Sequence, residues 1–227
     1  NDSLIGCNIV SGNLTSSLAA CVYAANVTGS NFVIQNCNLE NSYWPVYWFG
    51  VSNNYYNNFV IQNSNITNGW AYSTYIWYIN GFRFANNNIT TNTTLTFHYG
   101  LFAYYLNQSP QIENNKVTLP TGYPMYLFSI NGSNANRGRI RNNVLAVGNN
   151  TNFSYGLYIS NSTFMDVHHN SVSIATTNVS SYPAYFFMST PNNDIRNNVF
   201  ANMGGGPVMY FWNNQGVNNR IDFNNYF

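Results

Sequence analysis

The chain has 227 residues and a formal net charge of +1, and 6% of its residues are charged while 18% are aromatic. So few basic side chains argue against a nucleic-acid-binding protein, because neutralising a phosphate backbone requires a field of Lys and Arg. The chain also lacks an apolar run of about 18 residues, so we expect no membrane span. A surface of neutral amides and hydroxyls, instead of Lys and Glu, favours an extracellular location at a cell or virion surface.

A motif repeated nine times organises the chain from end to end. In each copy an apolar anchor is followed by Asn, or by a residue standing in for it, at the second or third position, and by another apolar residue at the fifth. The anchors lie about 27 residues apart on average, which indicates one supersecondary unit per repeat. They are Ile5, Ile34, Ile61, Phe84, Ile112, Ile140, Val167, Ile195 and Ile221.

The Asn residues of the motif predict a sharp bend between two short strands. Asn tolerates the left-handed backbone region, and its amide bonds to neighbouring main chain. Equivalent Asn side chains in successive coils also predict ladders of amide hydrogen bonds between strands about 4.8 Å apart. His169 and Phe223 interrupt the rank two positions after the anchor. That rank contains Asn36, Asn63, Asn86, Asn114, Asn142 and Asn197, and the rank one position later contains Asn87, Asn115, Asn143, Asn170, Asn198 and Asn224.

A second apolar run, rich in aromatic residues, precedes each motif from the third repeat onward. Three short strands per repeat predict an all-β parallel β-solenoid of about nine coils of roughly 27 residues. We expect one domain over residues 1–227, either a piece of a longer protein or a subunit that stacks end to end. The pattern resembles the right-handed parallel β-helix repeat of pectate-lyase-like and NosD-like proteins. That resemblance implies the fold and no particular activity.

The scarce charges fall mainly on the two positions that flank the anchor. If the anchor points inward, both flanking positions point outward on one face. Nine of the thirteen charged residues, seven basic and six acidic, therefore share a stripe. Opposite signs in adjacent coils predict a ladder of salt bridges on a solvated face. The predicted pairs are Glu113 with Arg141, Arg139 with Asp166, Asp194 with Arg220, and Arg196 with Asp222.

The same stripe supports an enzymatic alternative, a secreted polysaccharide lyase or glycoside hydrolase. Asp166 and Asp194 occupy equivalent positions one coil apart, so their carboxylates are expected about 5 Å from each other, as in a retaining glycosidase. His168 would serve as a proton shuttle and Arg196 as an anion clamp. The cluster is loosely similar to that of pectin-degrading families, although their paired-Asp and Gly-His-Gly motifs are absent. We predict no cofactor and no metal, since His168 and His169 should point to opposite faces.

A row of outward aromatic side chains is predicted on the strand that precedes each motif. Side chains alternate between the faces of a strand, so one aromatic of each set fills the core and the next faces outward. The row could be covered by loops, contact another subunit, or stack against sugar rings. The candidate ligand-binding residues are Tyr47, Trp77, Tyr104, Tyr126, Tyr158, Tyr185 and Tyr210.

Two kinds of covalent modification are suggested by short motifs. Cys7 and Cys37 fall at neighbouring positions of the first two coils, so they either form a disulfide or remain buried thiols. Many Asn residues have Ser or Thr two positions later, and we expect a few of them to carry N-glycans. The candidates are Asn13, Asn26, Asn65, Asn92, Asn107, Asn131, Asn152, Asn161 and Asn178.

These features favour a structural or adhesive module of a surface appendage, such as a fibre, an adhesin or a receptor-binding protein. The expected partners are glycans or other cell-surface polymers, together with further copies or neighbouring domains of the same protein.

Overall fold

The protein is an all-β parallel solenoid. The computed structural model describes residues 2–93, 95–212 and 217–227. These residues form about eight turns with coils of about 27 residues, and none of them is helical. Each complete turn has three strands, and the first two strands of a ninth follow. The predicted fold is confirmed, and the predicted nine coils are close to the observed number. Within these ranges, no helix has the length and hydropathy needed to cross a membrane.

The strands form three stacks along the solenoid, one for each strand of a turn. The first stack contains β1 (Asp2–Ile5), β4 (Ser30–Gln35), β7 (Tyr56–Gln62), β10 (Arg83–Ala85), β13 (Gln111–Glu113), β16 (Gly138–Arg141), β19 (Met165–His168), β22 (Asp194–Arg196) and β25 (Arg220–Asp222). The second stack contains β2 (Asn8–Asn13), β5 (Asn38–Ser42), β8 (Asn65–Gly69), β11 (Asn88–Thr90), β14 (Lys116–Leu119), β17 (Val144–Val147), β20 (Ser171–Ile174), β23 (Val199–Asn202) and β26 (Asn225–Tyr226).

The third stack carries the aromatic runs. It contains β3 (Ala20–Val27), β6 (Trp44–Gly50), β9 (Tyr72–Asn80), β12 (Tyr99–Asn107), β15 (Tyr123–Ile130), β18 (Tyr155–Ser160), β21 (Tyr182–Phe187) and β24 (Met209–Trp212). The pairing of Tyr56 with Ile79 joins the first and third stacks into one 17-stranded sheet, and the second stack is a separate nine-stranded sheet. All the strand pairs are parallel, as in a coil that returns to the same position after every turn.

The anchors of successive motifs lie in register and point into the core. Ile34 pairs with Ile61, and both side chains are buried. The first coil is an exception, because Leu4 and not Ile5 pairs with Ile34, and the Ile5 side chain is 60% exposed. The predicted anchor at Ile5 is therefore wrong by one residue. Residue Leu4 has its own apolar partner five positions later, Ile9, which packs against the same core.

The two ranks of Asn have different roles. At the second position after the anchor, the predicted bend is confirmed, since the six Asn residues there have φ between 52° and 58°. The ladder, however, forms only at the third position, where the side chains are buried. Asn87 Nδ2 donates to Asn115 Oδ1 at 3.2 Å, and the contact repeats in each later coil as far as Asn224. At the second position the side chains are exposed, and among the described residues only one pair there is in contact, Asn197 Nδ2 with His169 Nε2 at 3.3 Å.

The interior is filled by columns of apolar side chains from all three stacks. Ile112 of the first stack, Val117 of the second and Ala103 of the third are all fully buried. Such columns touch mainly the coils above and below, so the core is continuous along the whole solenoid. The outer faces of the three stacks are left for function.

Candidate functional site

Six charged or titratable residues of the first stack and its entry form the charged cluster. β16, β19 and β22 lie side by side, so Asp166 pairs with Asp194, and His168 lies between Arg141 and Arg196. Arg137, which immediately precedes β16, completes the set. The cluster thus consists of Arg137, Arg141, Asp166, His168, Asp194 and Arg196.

Both carboxylate oxygens of Asp166 are held by arginines. Arg137 Nε donates to Oδ1 at 2.5 Å, and Arg141 Nη2 donates to Oδ2. Burial opposes ionisation of Asp166, but the hydrogen bond and charge of Arg137, with help from His168 and Arg141, outweigh it and lower the pKa of the carboxyl. Asp166 is therefore ionised, and the two arginines balance its charge. Such a carboxylate does not suit the role of a general acid.

Asp194 is bound less completely and lies beside a buried imidazole. Arg196 Nε lies 2.6 Å from Asp194 Oδ1, and His168 Nε2 lies 3.5 Å from Oδ2. His168 is 8% exposed. Burial lowers its pKa, although Asp166 and Asp194 act in the opposite direction. Neutral His168 is thus a base adjacent to a carboxylate, an arrangement that can accept a proton.

The residues of the predicted salt-bridge ladder lie beside one another as expected, but the ion pairs form between other partners. All four predicted pairs are direct neighbours on adjacent strands. In the described residues, however, each ion pair of the stripe joins side chains that are two positions out of register or two residues apart on one strand. Arg141, for example, is paired with His168 in the sheet but binds Asp166, two residues before it. Two of these pairs join adjacent coils and two lie within one strand, because the long Arg side chain reaches a carboxylate two positions away. The displaced pairs are Arg137 with Asp166, Arg141 with Asp166, Arg196 with Asp194, and Arg220 with Asp222.

The cluster brings together three groups of the kind that bind metal ions. One ligand atom from each of Asp166, His168 and Asp194 lies within 4.8 Å of the others. A cation placed there would compete with Arg137, Arg141 and Arg196, and three guanidinium groups already outweigh the charge of two carboxylates. Electrostatics therefore disfavours a metal at this position.

Sequence reasoning did not identify Arg137 as part of the site. It lies outside the two flanking positions on which the stripe was defined. Its guanidinium also bonds to the carbonyl oxygens of Met165 and Asn192, so it ties three coils together. The alternating Arg residues in Arg137–Gly138–Arg139–Ile140–Arg141 are the signal that could have found it, since alternate residues share one face of a strand.

The third stack presents an aromatic face, and none of its eight strands contains a charged residue. The predicted alternation is confirmed in β6, where Trp48 is buried between the half-buried Tyr47 and Phe49. The outward rings form three columns along the solenoid. One column is Trp44, Tyr72, Tyr99, Tyr123, Tyr155 and Tyr182; the middle one is Tyr23, Tyr47, Tyr75, Phe102, Tyr126, Tyr158, Tyr185 and Tyr210; the third includes Phe49, Trp77, Tyr104 and Phe128.

Rings in successive coils stack face to face. Trp77 and Tyr104 have centroids 4.7 Å apart and planes 5° apart, and Tyr47 and Tyr75 are 5.0 Å and 4° apart. The ring faces are thus largely covered by neighbouring rings. Tyr123, Tyr158 and Tyr185 are buried, and the other rings of the three columns are half-buried or exposed. This geometry leaves little ring face for sugar stacking along the columns, whereas the phenol edges remain able to hydrogen-bond.

The predicted ligand-binding residues are divided between two columns. Tyr47, Tyr126, Tyr158, Tyr185 and Tyr210 belong to the middle column, and Trp77 and Tyr104 to the third. Burial, followed by repulsion between neighbouring phenolates, raises the pKa of Tyr99 and of Tyr185 to about 12. The phenols therefore stay protonated and the face stays neutral at physiological pH.

The candidate modification sites differ in accessibility. Asn26, Asn65 and Asn92 are exposed. Five others are half-buried, and the side chain of Asn13 lies outside the described part of the structure. Those five are Asn107, Asn131, Asn152, Asn161 and Asn178.

The three cysteines are free thiols in the structure. Cys37 lies three positions after the anchor Ile34, and Cys7 three positions after Leu4, so both occupy the rank that carries Asn in later coils. Each thiol bonds to main-chain carbonyls. Cys7 Sγ donates to Ile5 O at 3.6 Å, and Cys37 Sγ lies 3.3 Å from Gln35 O. Cys37 is buried and Cys7 is half-buried, and the choice between a disulfide and two thiols stays a prediction.

Comparison of the chain with protein-family models, with curated proteins and with solved structures found no match. The charged cluster and the aromatic face are therefore the two surfaces from which a function can be inferred.

Proposed function

We propose that this protein is a structural and adhesive β-helix module of a cell-surface or virion-surface appendage, and that it recognises glycans. The observation that carries the proposal is the uncharged aromatic face, which runs along the solenoid as stacked columns of rings. Stacked columns and the buried Asn ladder tie each coil to the next, so the module is a stiff rod. A stiff rod with a repetitive face suits the display and contact functions of a fibre or an adhesin.

The outward chemistry of this face fits neutral polar partners. Its phenol hydroxyl groups donate and accept hydrogen bonds, and its ring edges add apolar area without charge. Tyrosine-rich surfaces also bind protein partners for the same reason. Glycans, neighbouring domains and further copies of the chain are therefore the partner classes that we propose.

A glycan array followed by product analysis tests the proposal. The full chain is applied to arrays of neutral and acidic glycans, and bound glycans are recovered and sized. An adhesive module retains its ligand at full length. Absence of binding to any glycan would rule out the recognition part of the proposal, and release of shorter products would favour the enzymatic alternative.

The second candidate is a secreted polysaccharide lyase or glycoside hydrolase. It is favoured by the approach of Asp166, His168 and Asp194, whose nearest ligand atoms lie within 4.8 Å of one another. Neutral His168 would act as the base. Asp194 is bound by one arginine and would be the less constrained of the two carboxylates. The two arginines on Asp166 weigh against it, since they reduce the basicity of that carboxylate.

Asp194→Asn and His168→Gln decide between the two functions. Acidic and neutral polysaccharides are incubated with the full chain and with each variant, and the reducing ends and unsaturated products are measured. Arg83→Gln, at an exposed position of the same stripe, serves as the matched control. If wild-type protein produces no cleavage, the enzymatic candidate is excluded. It is supported only when cleavage is lost in both cluster variants and kept in the control.

A further inference from the structure

A small apolar pocket lies at the corner where the second stack leads into the third. It has a volume of about 260 Å³ and is formed by corners of three coils. Its lining comes from Asn68 and Gly69 at the end of β8 and Trp70 after it, from Thr91 to Thr93 after β11, and from Leu14 after β2. This pocket is separate from the charged cluster, whose residues belong to the first stack.

Trp70 differs from the tryptophans of the aromatic face. Within the described residues its indole stacks against no other ring, whereas Trp44 and Trp77 are each packed against several. Trp70 is half-buried and lines the pocket, so part of its ring surface is free for a ligand. A free indole face is the feature that the stacked columns lack.

The main chain of Trp70 is held on both sides by buried groups. Its N–H donates to Ser42 O at 3.0 Å, and its carbonyl accepts from His98 Nδ1 at 2.9 Å. Since Nδ1 carries the proton, His98 Nε2 accepts from the Ser73 hydroxyl at 3.1 Å. His98 and Ser73 are both fully buried. The pocket wall is thus a fixed element and requires no reorganisation to present the indole.

Polar groups at the rim have unused hydrogen-bonding capacity among the described residues. The Asn68 amide donates from Nδ2 to Asn41 Oδ1 at 3.1 Å, which leaves its own Oδ1 as an acceptor. Thr93 Oγ1 accepts from Leu95 N at 3.4 Å, which leaves its hydroxyl proton as a donor. The Asn92 side chain is exposed beside them. An apolar platform with a few amides and hydroxyls is the usual composition of a site for a small polar ligand.

The volume of the pocket and its lack of charged residues limit the kind of ligand that it can bind. None of the lining residues is charged, so the pocket offers no counter-ion to a carboxylate, a sulfate or an ammonium group. Sites for drug-sized ligands occupy roughly 300 to 1,000 Å³, so a pocket of about 260 Å³ accommodates a single ring. A pyranose combines an apolar C–H face with hydroxyl groups around its edge, and it matches both the indole and the rim.

We infer that the Trp70 pocket binds one neutral pyranose residue, with the sugar C–H face on the indole and its hydroxyl groups on Asn68, Asn92 and Thr93. This inference rests on the proposed glycan recognition and gives it a site away from the aromatic columns. Single-residue binding is weak by itself. Repetition of the module in an appendage would strengthen it through multivalency.

The test uses the full chain with N-glycans removed, because Asn92 is also a candidate glycosylation site. Saturation-transfer NMR and titration calorimetry are performed with methyl glycosides of glucose, galactose, mannose and N-acetylglucosamine, and with methyl glucuronide as the charged counterpart of the glucoside. The variants are Trp70→Ala and Trp70→Phe. Phe223→Ala is the matched control, since Phe223 is 69% exposed and lies between β25 and β26, away from the pocket and from the aromatic face.

We expect at least one neutral glycoside to bind, Trp70→Ala to weaken it by about tenfold or more, and Trp70→Phe to restore part of the affinity. Phe223→Ala should leave binding unchanged, and the glucuronide should bind at least about tenfold more weakly than the glucoside. Circular dichroism establishes that each variant is folded. Glycan binding that survives Trp70→Ala overturns this inference alone and leaves the proposed function standing. Failure of every glycoside and of every glycan on the array overturns both.

Discussion

Asn143 donates through Nδ2 to Asn170 Oδ1 at 2.9 Å and to the carbonyl of Ile112 at 2.9 Å, so one side chain bridges three successive coils. Its own Oδ1 accepts from the main chain and the side chain of Asn115. Replacing Asn143 by Ala removes the acceptor of the buried Asn115 N–H and the side-chain donor to Ile112 O and Asn170 Oδ1. The exposed neighbour Asn142, with φ of 54°, takes no part in the ladder.

Asn143→Ala should therefore lower the free energy of unfolding by about 3 kcal/mol, since each buried unsatisfied group costs about 1–3 kcal/mol. Asn142→Gly is the adjacent control and should change stability by less than about 1 kcal/mol, because Gly adopts the left-handed backbone readily. Urea unfolding followed by circular dichroism measures both. Equal losses of unfolding free energy in the two variants would contradict a stabilising role of the buried Asn ladder.

His98 predicts a loss of stability in mild acid. Burial lowers its pKa to about 4 from an ordinary value near 6.5, while the bond to Trp70 O acts in the opposite direction. The unfolded chain therefore binds a proton more readily than the folded one. Stability from His98 is fully present above about pH 6.5 and is lost as the pH falls through about 4.

The difference amounts to about 3 kcal/mol between pH 7 and pH 4. His98→Gln should flatten the pH dependence of the melting temperature in that interval, although it also lowers stability at neutral pH. His169→Gln alters an exposed side chain and should leave the pH dependence as in the wild type. A wild-type melting temperature that is constant from pH 7 to pH 4 would show that buried His98 is not the titrating group that we describe.

The stack of Trp77, Tyr104 and Phe128 separates the contribution of the rings from that of the hydroxyl groups. Tyr104 lies 4.7 Å from each neighbour. Tyr104→Ala removes both stacking contacts and should cost about 2–3 kcal/mol, whereas Tyr104→Phe keeps the ring and should cost about 1 kcal/mol or less. Thermal unfolding measures the two variants. A larger loss in the Phe variant than in the Ala variant would refute a stabilising role for the stacked rings.

N-glycan occupancy should follow exposure when the chain passes through a secretory pathway. Asn26 and Asn92 are exposed, and no hydrogen bond among the described residues engages either side-chain amide. Asn131 is half-buried, and its amide donates to Asn107 Oδ1 at 3.2 Å. We expect glycans at the first two sites and little or none at Asn107 and Asn131. Peptide mapping by mass spectrometry gives the occupancy at each site, and glycosylation of Asn131 in preference to Asn92 would disagree with this ordering.

Much of the fold could be predicted from residue types and their spacing. A regular apolar anchor such as Ile112 with Val117 five positions later determines which side chains point inward, because alternation along a strand is a property of the backbone. Asn in the left-handed region likewise determines where each coil bends. In the first coil both Leu4 and Ile5 are apolar, so the pattern permitted two registers, and only packing against Ile34 selects the first.

The candidate site was less predictable. The charged stripe predicted correctly that Asp166 and Asp194 are neighbours. Which arginine binds each carboxylate depends on how far its side chain reaches, as for Arg137. Stacking against sugar rings was one of three roles considered for the aromatic row, yet the faces of these rings pack against rings one coil away. Trp70 lies in a corner with no repeated neighbour, so no periodic signal marked it.

The sequence by itself determined the three-stranded coil of about 27 residues, the bend at each Asn, and the separation of charged and aromatic side chains onto different faces. Those features follow from local backbone geometry repeated at a constant interval. Three features became clear only from the folded chain: which Asn rank forms the ladder, which arginine binds each carboxylate, and which aromatic ring has a free surface. These outcomes depend on side-chain reach and burial between coils, and residues about 27 positions apart become neighbours only when the chain has wound.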